Sequence, residues 1–308
     1  MTRRAAAGFG RLLPLLLIAA AVIIVAGAAL LAACGSNGGS SGSSTTSGGA
    51  TEPAATTASG SAEPSASPST PAAATTTLRL YFLRDGMLGV AERQVPHTTV
   101  PATAALTALL AGPQGGEPEA GLSTAIPAGT RLLGLSIHDG TATVDLSREF
   151  GTGDGATMAQ RVAEVVYTLT RYSTVHAVQF LLNGQTADSL GGIAIGEPQQ
   201  RADYRDLEPN IFVESPGVGA DLSSPFTLSG TARVFEGSFQ ARLTDSSGRR
   251  IVEVVVQASR GAPGRGAFAK EVAFSTSAQS GELIVFDQSM EDGSRQDEVK
   301  IPVSFAVD

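Results

Sequence analysis

The pattern of apolar and polar positions changes character several times along the 308 residues. Leu12 to Leu31 holds only apolar residues, proline and glycine, and it follows Arg3, Arg4 and Arg11. Residues 35–76 are then serine, threonine, glycine, alanine and proline, with Asn37, Glu52 and Glu63 and no aromatic or long aliphatic side chain. Such a segment cannot bury enough apolar surface to offset its ordering entropy. It reads as a disordered stalk, with a relaxed length of roughly 35–40 Å if it scales like a Gly/Ser coil.

From Thr77 the pattern becomes that of a folded domain. Leu78, Leu80 and Phe82 alternate with Arg79, Tyr81 and Leu83, and after Asp85-Gly86 a second extended run covers Leu88 to Val95. Leu106, Leu109 and Leu110 give one face of a helix running from about Ala102, capped by Thr98 or Thr99 and stopped by Gly112-Pro113. Leu133, Leu135 and Ile137 lie on one face of a strand, and Asp139-Gly140 turns it into Ala142, Val144 and Leu146. Met158, Val162, Val165, Val166 and Leu169 form the apolar stripe of a second helix, about Ala156 to Thr170, started by Asp154 or Thr157. Gln160, Arg161 and Glu164 fall off that stripe. Val178, Phe180 and Leu182 form a last strand before Asn183-Gly184. The order β-β-α-β-β-α-β predicts an α/β domain of two layers over 77–184, since each one-sided helix needs a sheet to cover. Residues 185–208 show little periodicity and read as a connector, with Tyr204 expected to pack on one domain. From 209 to 308 the helical period disappears. Seven short extended runs, from Ile211–Glu214 to Val299–Val307, punctuated by Gly, Pro and Ser, predict an all-β sandwich.

The N-terminal run ends in Leu31-Ala32-Ala33-Cys34-Gly35, which resembles the lipobox of bacterial lipoproteins. A positive start, an apolar run and small residues before the break are the pattern of a secretion signal. The resemblance implies cleavage after residue 33, lipid on Cys34, and a mature chain of 34–308 held on the extracytoplasmic face of the membrane. A thiolate is the nucleophile that such a modification needs. An uncleaved spanning helix is the alternative, because the run has the roughly 20 residues a bilayer requires. Either way the membrane is one partner.

Charge narrows the other partners. The formal charge of the full chain is −8. Removing 1–33 takes away three arginines and no acid, which leaves 18 basic against 29 acidic side chains and a charge of −11. Lys270 and Lys300 are the only lysines. This excludes a clustered basic footprint for nucleic acid. With the single cysteine committed to lipid, no disulfide is available, and each domain is expected to rest on its own apolar core.

"LRLYFLRDGMLGVAERQV", "AALTALLAGPQGG", "GLSTAIPAGTRLLGLSIHDGTATVDLSREF" and "RVAEVVYTLTRYSTVHAVQFLLNG" resemble the GerMN domain of spore-germination and sporulation proteins. "IFVESPGVGADLSSPFTLSGTARVFEGSFQARLTDSSGRRI", "GAFAKEVAF" and "GELIVFDQS" resemble the Gmad2 immunoglobulin-like domain, with Ser215-Pro216, Ser224-Pro225 and Gly230 among the firmest points. These resemblances imply an extracytoplasmic, non-enzymatic binding or scaffold component, with a protein partner or a second copy in the envelope.

The chemistry-bearing residues support no catalytic or metal site. His97, His138 and His176 lack the close spacing of metal ligands, with His176 expected to be half inside at the sheet's end. Asp145 and Glu149 raise a glycosidase pair, but Asp145 points off the core face and Glu149 follows the strand. "GTGDG" at 151–155 lacks the lysine and hydroxyl of a phosphate loop. "DQSMEDGSRQDE" at 287–298 lacks the ligand spacing of an EF-hand. No cofactor is implied. The candidate partner surface is the polar side of the second helix, Arg161 and Glu164. A peptidoglycan- or carbohydrate-binding module is the alternative, disfavoured by the absence of tryptophan, and an envelope hydrolase is a weaker one.

Overall fold

Three two-residue turns set the registers of the first domain. Asp85-Gly86, Asp139-Gly140 and Asn183-Gly184 all have both central residues at positive φ, the hairpin geometry whose twist matches that of flanking strands. The computed structural model describes residues 74–153 and 155–306. The signal, Cys34, nearly all of the stalk and Asp154 lie outside them.

β1 (Thr75–Arg84) and β2 (Met87–Pro96) form an antiparallel hairpin. α1 (Pro101–Leu110) follows, with Val100 as cap residue and no side-chain cap bond. Thr98 Oγ1 instead accepts from the Val100 N–H at 3.2 Å, so neither threonine caps the helix. β3 (Leu132–His138), β4 (Thr141–Leu146), β5 (Ala177–Leu182) and the short β6 (Gln185–Thr186) make a second sheet in that order, with β4 and β5 parallel. The parallel pair is linked by the crossover helix α2 (Gly155–Leu169), as parallel pairing requires. Both helices pack on β1; α1 also meets β3, and α2 meets β5. Every residue from Arg161 to Leu169 is buried, so α2 is covered all round rather than along one stripe.

Two features of this part of the chain depart from the expectation. Leu133 and Ile137 are exposed; β3 is the edge strand of its sheet and pairs only with β4. The connector is structured. It contains β7 (Ser189–Leu190) paired with β8 (Ile193–Ala194), and a 3-10 segment, Arg201–Leu207, with Tyr204 buried.

The second domain is all β. β9 (Ile211–Ser215), β11 (Phe226–Ala232) and β14 (Gly266–Val272) form one sheet in the order β14-β11-β9. β10 (Asp221–Leu222), β12 (Ser238–Asp245), β13 (Arg250–Gln257), β15 (Ser280–Gln288) and β16 (Arg295–Phe305) form the other, ordered β10-β16-β15-β12-β13. Aromatics fill the space between them: Phe239 meets Phe268 edge-on at 4.9 Å, and Phe274 lies 5.4 Å from Phe305.

The described residues belong to one compact unit, and a single hydrophobic core runs through both domains. The alternation of β1 explains this. Leu78, Leu80 and Phe82 are buried on one face, yet Tyr81 and Leu83 on the opposite face are buried as well. A strand wetted on one side would leave those exposed; here Phe212 and Glu214 of the second domain meet Tyr81, and Leu83 pairs with Ser123 in the loop after α1.

Candidate functional site

The polar side of α2 is an internal clamp. Arg161 is 3% exposed and Glu164 is fully buried, which corrects their assignment as a partner surface. The two residues lie one helical turn apart on one face and hold the backbone of a single residue, Ala125. Glu164 Oε1 accepts from the Ala125 N–H at 2.7 Å, and Arg161 Nε donates to the Ala125 carbonyl at 2.9 Å. Thr124 donates to Glu164 Oε2 at 2.6 Å. Arg161 Nη1 also donates to the carbonyls of Phe150 and Thr152, the latter at 2.6 Å. The loop after α1 thus folds over the helix, and the buried polar atoms find the partners that burial demands.

Burial pushes the Glu164 carboxyl up to about 8 from an ordinary 4.5, against the bonds from Thr124 and Ala125 and the Arg161 charge. Between those values the folded protein binds a proton that the unfolded chain lacks, so stability falls as pH rises through the window. The melting temperature is expected to drop between pH 5 and pH 9, and Glu164→Gln to flatten that slope. An unchanged slope in the variant would refute the assignment.

The other sequence candidates stay apart. His97, His138 and His176 are all exposed; His176 lies outside the sheet because β5 begins one residue later. Asp145 accepts from the Gly184 N–H at 2.9 Å in the turn after β5. Glu149 pairs with Arg148 at 3.5 Å, and the Ser147 hydroxyl lowers its pKa most. In the 287–298 stretch, Asp292 accepts from Ser294, Asp297 from Asn210, and Glu298 pairs with Arg295 and Lys300. Among the described residues no group of three or more His, Cys, Asp or Glu side chains is arranged to hold a metal.

The densest polar cluster is one that the sequence did not single out, at the seam between the domains. Arg201, from the connector, donates from Nε to Thr170 Oγ1 at 2.8 Å and pairs through Nη1 with Glu214 of β9 at 2.5 Å. Its Nη2 reaches the Tyr81 hydroxyl and the Tyr167 carbonyl, both at 3.1 Å. The guanidinium lies over the rings of Tyr167 and Tyr81, 4.6 and 5.1 Å from their centroids. Tyr81 donates to Glu214 at 2.7 Å and Tyr167 to Glu208 at 2.6 Å. Glu208 in turn pairs with Arg265 at 3.2 Å. Phe212 completes the aromatic group, 6.1 Å from Tyr81 and 6.0 Å from Tyr167. Backbone bonds run alongside, from Glu92 N–H to the Val218 carbonyl and from Val218 N–H to the Val90 carbonyl, each 2.8 Å.

Burial opposes the charge on Arg201, but the neighbouring Tyr81 and Glu214 raise its pKa above the usual value. Burial likewise works against the Glu214 carboxylate, and Arg201 and the Tyr81 hydroxyl more than offset it. Burial raises both tyrosines, so they stay neutral donors. The chemistry of this cluster is cohesive: it fixes the angle between the domains.

This architecture, a mixed α/β domain locked to an immunoglobulin-like sandwich, is that of two domain families in tandem. Residues 79–188 match the Germane family model, described as sporulation and spore germination. Residues 210–294 match Gmad2, the immunoglobulin-like domain of bacterial spore germination. The chain carries both domains. Among solved structures it is similar to the first GerMN domain of the sporulation protein GerM from Bacillus subtilis, at 28% identity over 42% of this chain and 100% of that one, with a TM-score of 0.37. The tandem GerMN domains of the same protein are 22% identical over 65% of this chain, with a TM-score of 0.38; the match spans 62% of that chain. No curated protein matches the sequence.

Proposed function

We propose that the protein is a lipid-anchored, non-enzymatic scaffold or binding component of an envelope assembly linked to sporulation or germination. The observation that carries this reading is the Germane–Gmad2 pair joined by the Arg201 seam. It makes a two-domain body whose geometry serves presentation of surface rather than turnover. The motif Leu31-Ala32-Ala33-Cys34 after an apolar run supplies the anchor, and residues 35–76 supply reach from the membrane. Confinement by such a tether raises effective concentration, so contacts too weak for free solution become productive. Self-association or capture of an envelope protein is therefore expected at the membrane.

The anchor is tested in cells. Cys34→Ser should abolish incorporation of radiolabelled lipid and leave unprocessed precursor; unchanged labelling and processing would remove the anchor from this reading. The scaffold role is tested by cross-linking lipid-tethered protein at increasing surface density. Absence of both self-association and a cross-linked partner at every density rejects it.

A further inference from the structure

The larger sheet of the sandwich ends in a long edge strand that contacts β14 of the other sheet but carries no strand on its outer side. β13 reads Arg-Ile-Val-Glu-Val-Val-Val-Gln and pairs only with β12. Among the described residues its backbone makes no backbone hydrogen bond beyond that partner. At about 3.4 Å per residue the open edge is roughly 27 Å long. Soluble proteins blunt such edges with lysine, proline or inward charge. Here the interior is β-branched apart from Glu253, which is already paired with Arg242 at 2.7 Å and Arg250 at 3.3 Å. β9, by contrast, lies against β2 of the first domain.

The two ends of β13 differ in charge. At its start, the side chains of Arg249 and Arg250 are 78% and 65% exposed. At its end, Gln257 Nε2 donates to the Glu236 carbonyl at 2.9 Å. Beside it a concavity of about 220 Å³ is lined by Val255, Phe235, Met290, Glu236 and Asp287. Val255, Phe235 and Met290 are 63%, 60% and 85% exposed, and neither carboxylate has an ion-pair partner among the described residues. Arg249 pairs with Asp245 at 3.0 Å, and Arg242 and Arg250 share Glu253, so one end keeps an excess of positive charge while the other is apolar with an acidic rim.

We propose that β13 is the seam of a symmetric dimer, in which a second copy of this chain pairs with it antiparallel about Val254. A twofold axis there is isologous and sets each cationic end against the other copy's acidic, apolar end, the complementarity that fixes register. It also places Glu253 opposite Val255. An axis through Glu253 would oppose two carboxylates directly, which is unfavourable. The stems and guanidinium planes of Arg249 and Arg250 then cover Phe235 and Val255 of the second copy. This gives the self-association arm of the proposed function a surface, and it rests on that reading.

The test uses the full chain in detergent. Val254→Cys, oxidised beside the parent chain that carries Cys34 alone, is expected to give a disulfide-linked dimer that the parent does not. Lys270→Cys, on the edge strand β14 of the other sheet, is expected to give none. By sedimentation, Arg250→Glu should weaken the dimer roughly tenfold, since symmetry removes two exposed pairs at once. Adding Glu236→Arg should restore it. A monomer at every concentration, a Lys270→Cys dimer as abundant as that of Val254→Cys, or a charge swap that restores nothing overturns the proposal. If lipid-tethered copies still cross-link to each other or to a partner in that case, the β13 seam fails while the scaffold reading stands.

Discussion

Arg201→Ala is expected to destabilise the protein by about 2–3 kcal/mol, because the pair is half-buried and water screens part of the loss, while several hydrogen bonds to a charged group disappear together. Glu214 loses its cation at 2.5 Å while staying half-buried beside the Tyr81 hydroxyl. Thr170 Oγ1 and the Tyr167 carbonyl lose a donor at the same time. The rings of Tyr81 and Tyr167 lose the guanidinium packed over them. Lysine should rescue little, because a point charge cannot serve three directions and two aromatic faces as a planar fork does. Chemical denaturation measures the loss, and limited proteolysis within 185–208 measures opening of the seam. Arg201 and Glu214 variants should be strongly non-additive, as expected for residues in one network. Additive losses, or a loss below about 1 kcal/mol, would mean that the seam is held elsewhere. The same network bears on how the domains fold. Residues 77–184 alone would expose Tyr81, Val90 and Tyr167, all buried in the whole chain, so a single shared unfolding transition is expected in place of two.

What the sequence made legible was local. Asp85-Gly86, Asp139-Gly140 and Asn183-Gly184 identify their turns because positive φ at two successive residues selects those side chains. The stripe of α2 was readable because Met158, Val162, Val165, Val166 and Leu169 repeat at the helical period. The same periodicity misplaced Arg161 and Glu164. It ranks faces by apolarity, but it cannot reveal that a polar loop, through Thr124 and Ala125, will cover the less apolar one. The seam was hidden for a related reason. Arg79 and Tyr81 look like the wet face of an alternating strand, and Arg201 sits where no period exists. The only signal was an aromatic in the connector, Tyr204, three residues from Arg201. Its expected packing was correct, with its hydroxyl on Gln199 at 2.6 Å. The open edge of β13 was equally out of reach, since a run of valines reads the same for a central strand as for an edge. Pairing partners are set by the order of the whole sheet.

Gly230→Ala should be as damaging as the loss of Arg201, and its effect should travel. Gly230 lies in β11, where the pairing with β9 shifts register between Ser229 and Gly230. A Cβ at this position would stand 2.0 Å from the Phe212 carbonyl oxygen and 2.9 Å from the Phe268 ring. The ring could turn aside, but the carbonyl belongs to the paired strand and moves only if β9 moves. Overpacking of this kind costs about 3 kcal/mol. The displaced strand carries Phe212, packed on Tyr81 and Tyr167, and Glu214, the partner of Arg201. The variant should therefore lower the melting temperature and also raise the rate of proteolysis in 185–208, although position 230 is not part of the connector. Gly248→Ala provides the contrast. It sits at a positive φ of 81° in a turn, with nothing within 4 Å of the added carbon. It should show only the modest strain of that conformation, roughly 1 kcal/mol, and leave cleavage of the connector unchanged. A Gly230→Ala protein that melts lower but resists cleavage like the parent would show that β9 does not transmit strain to the seam.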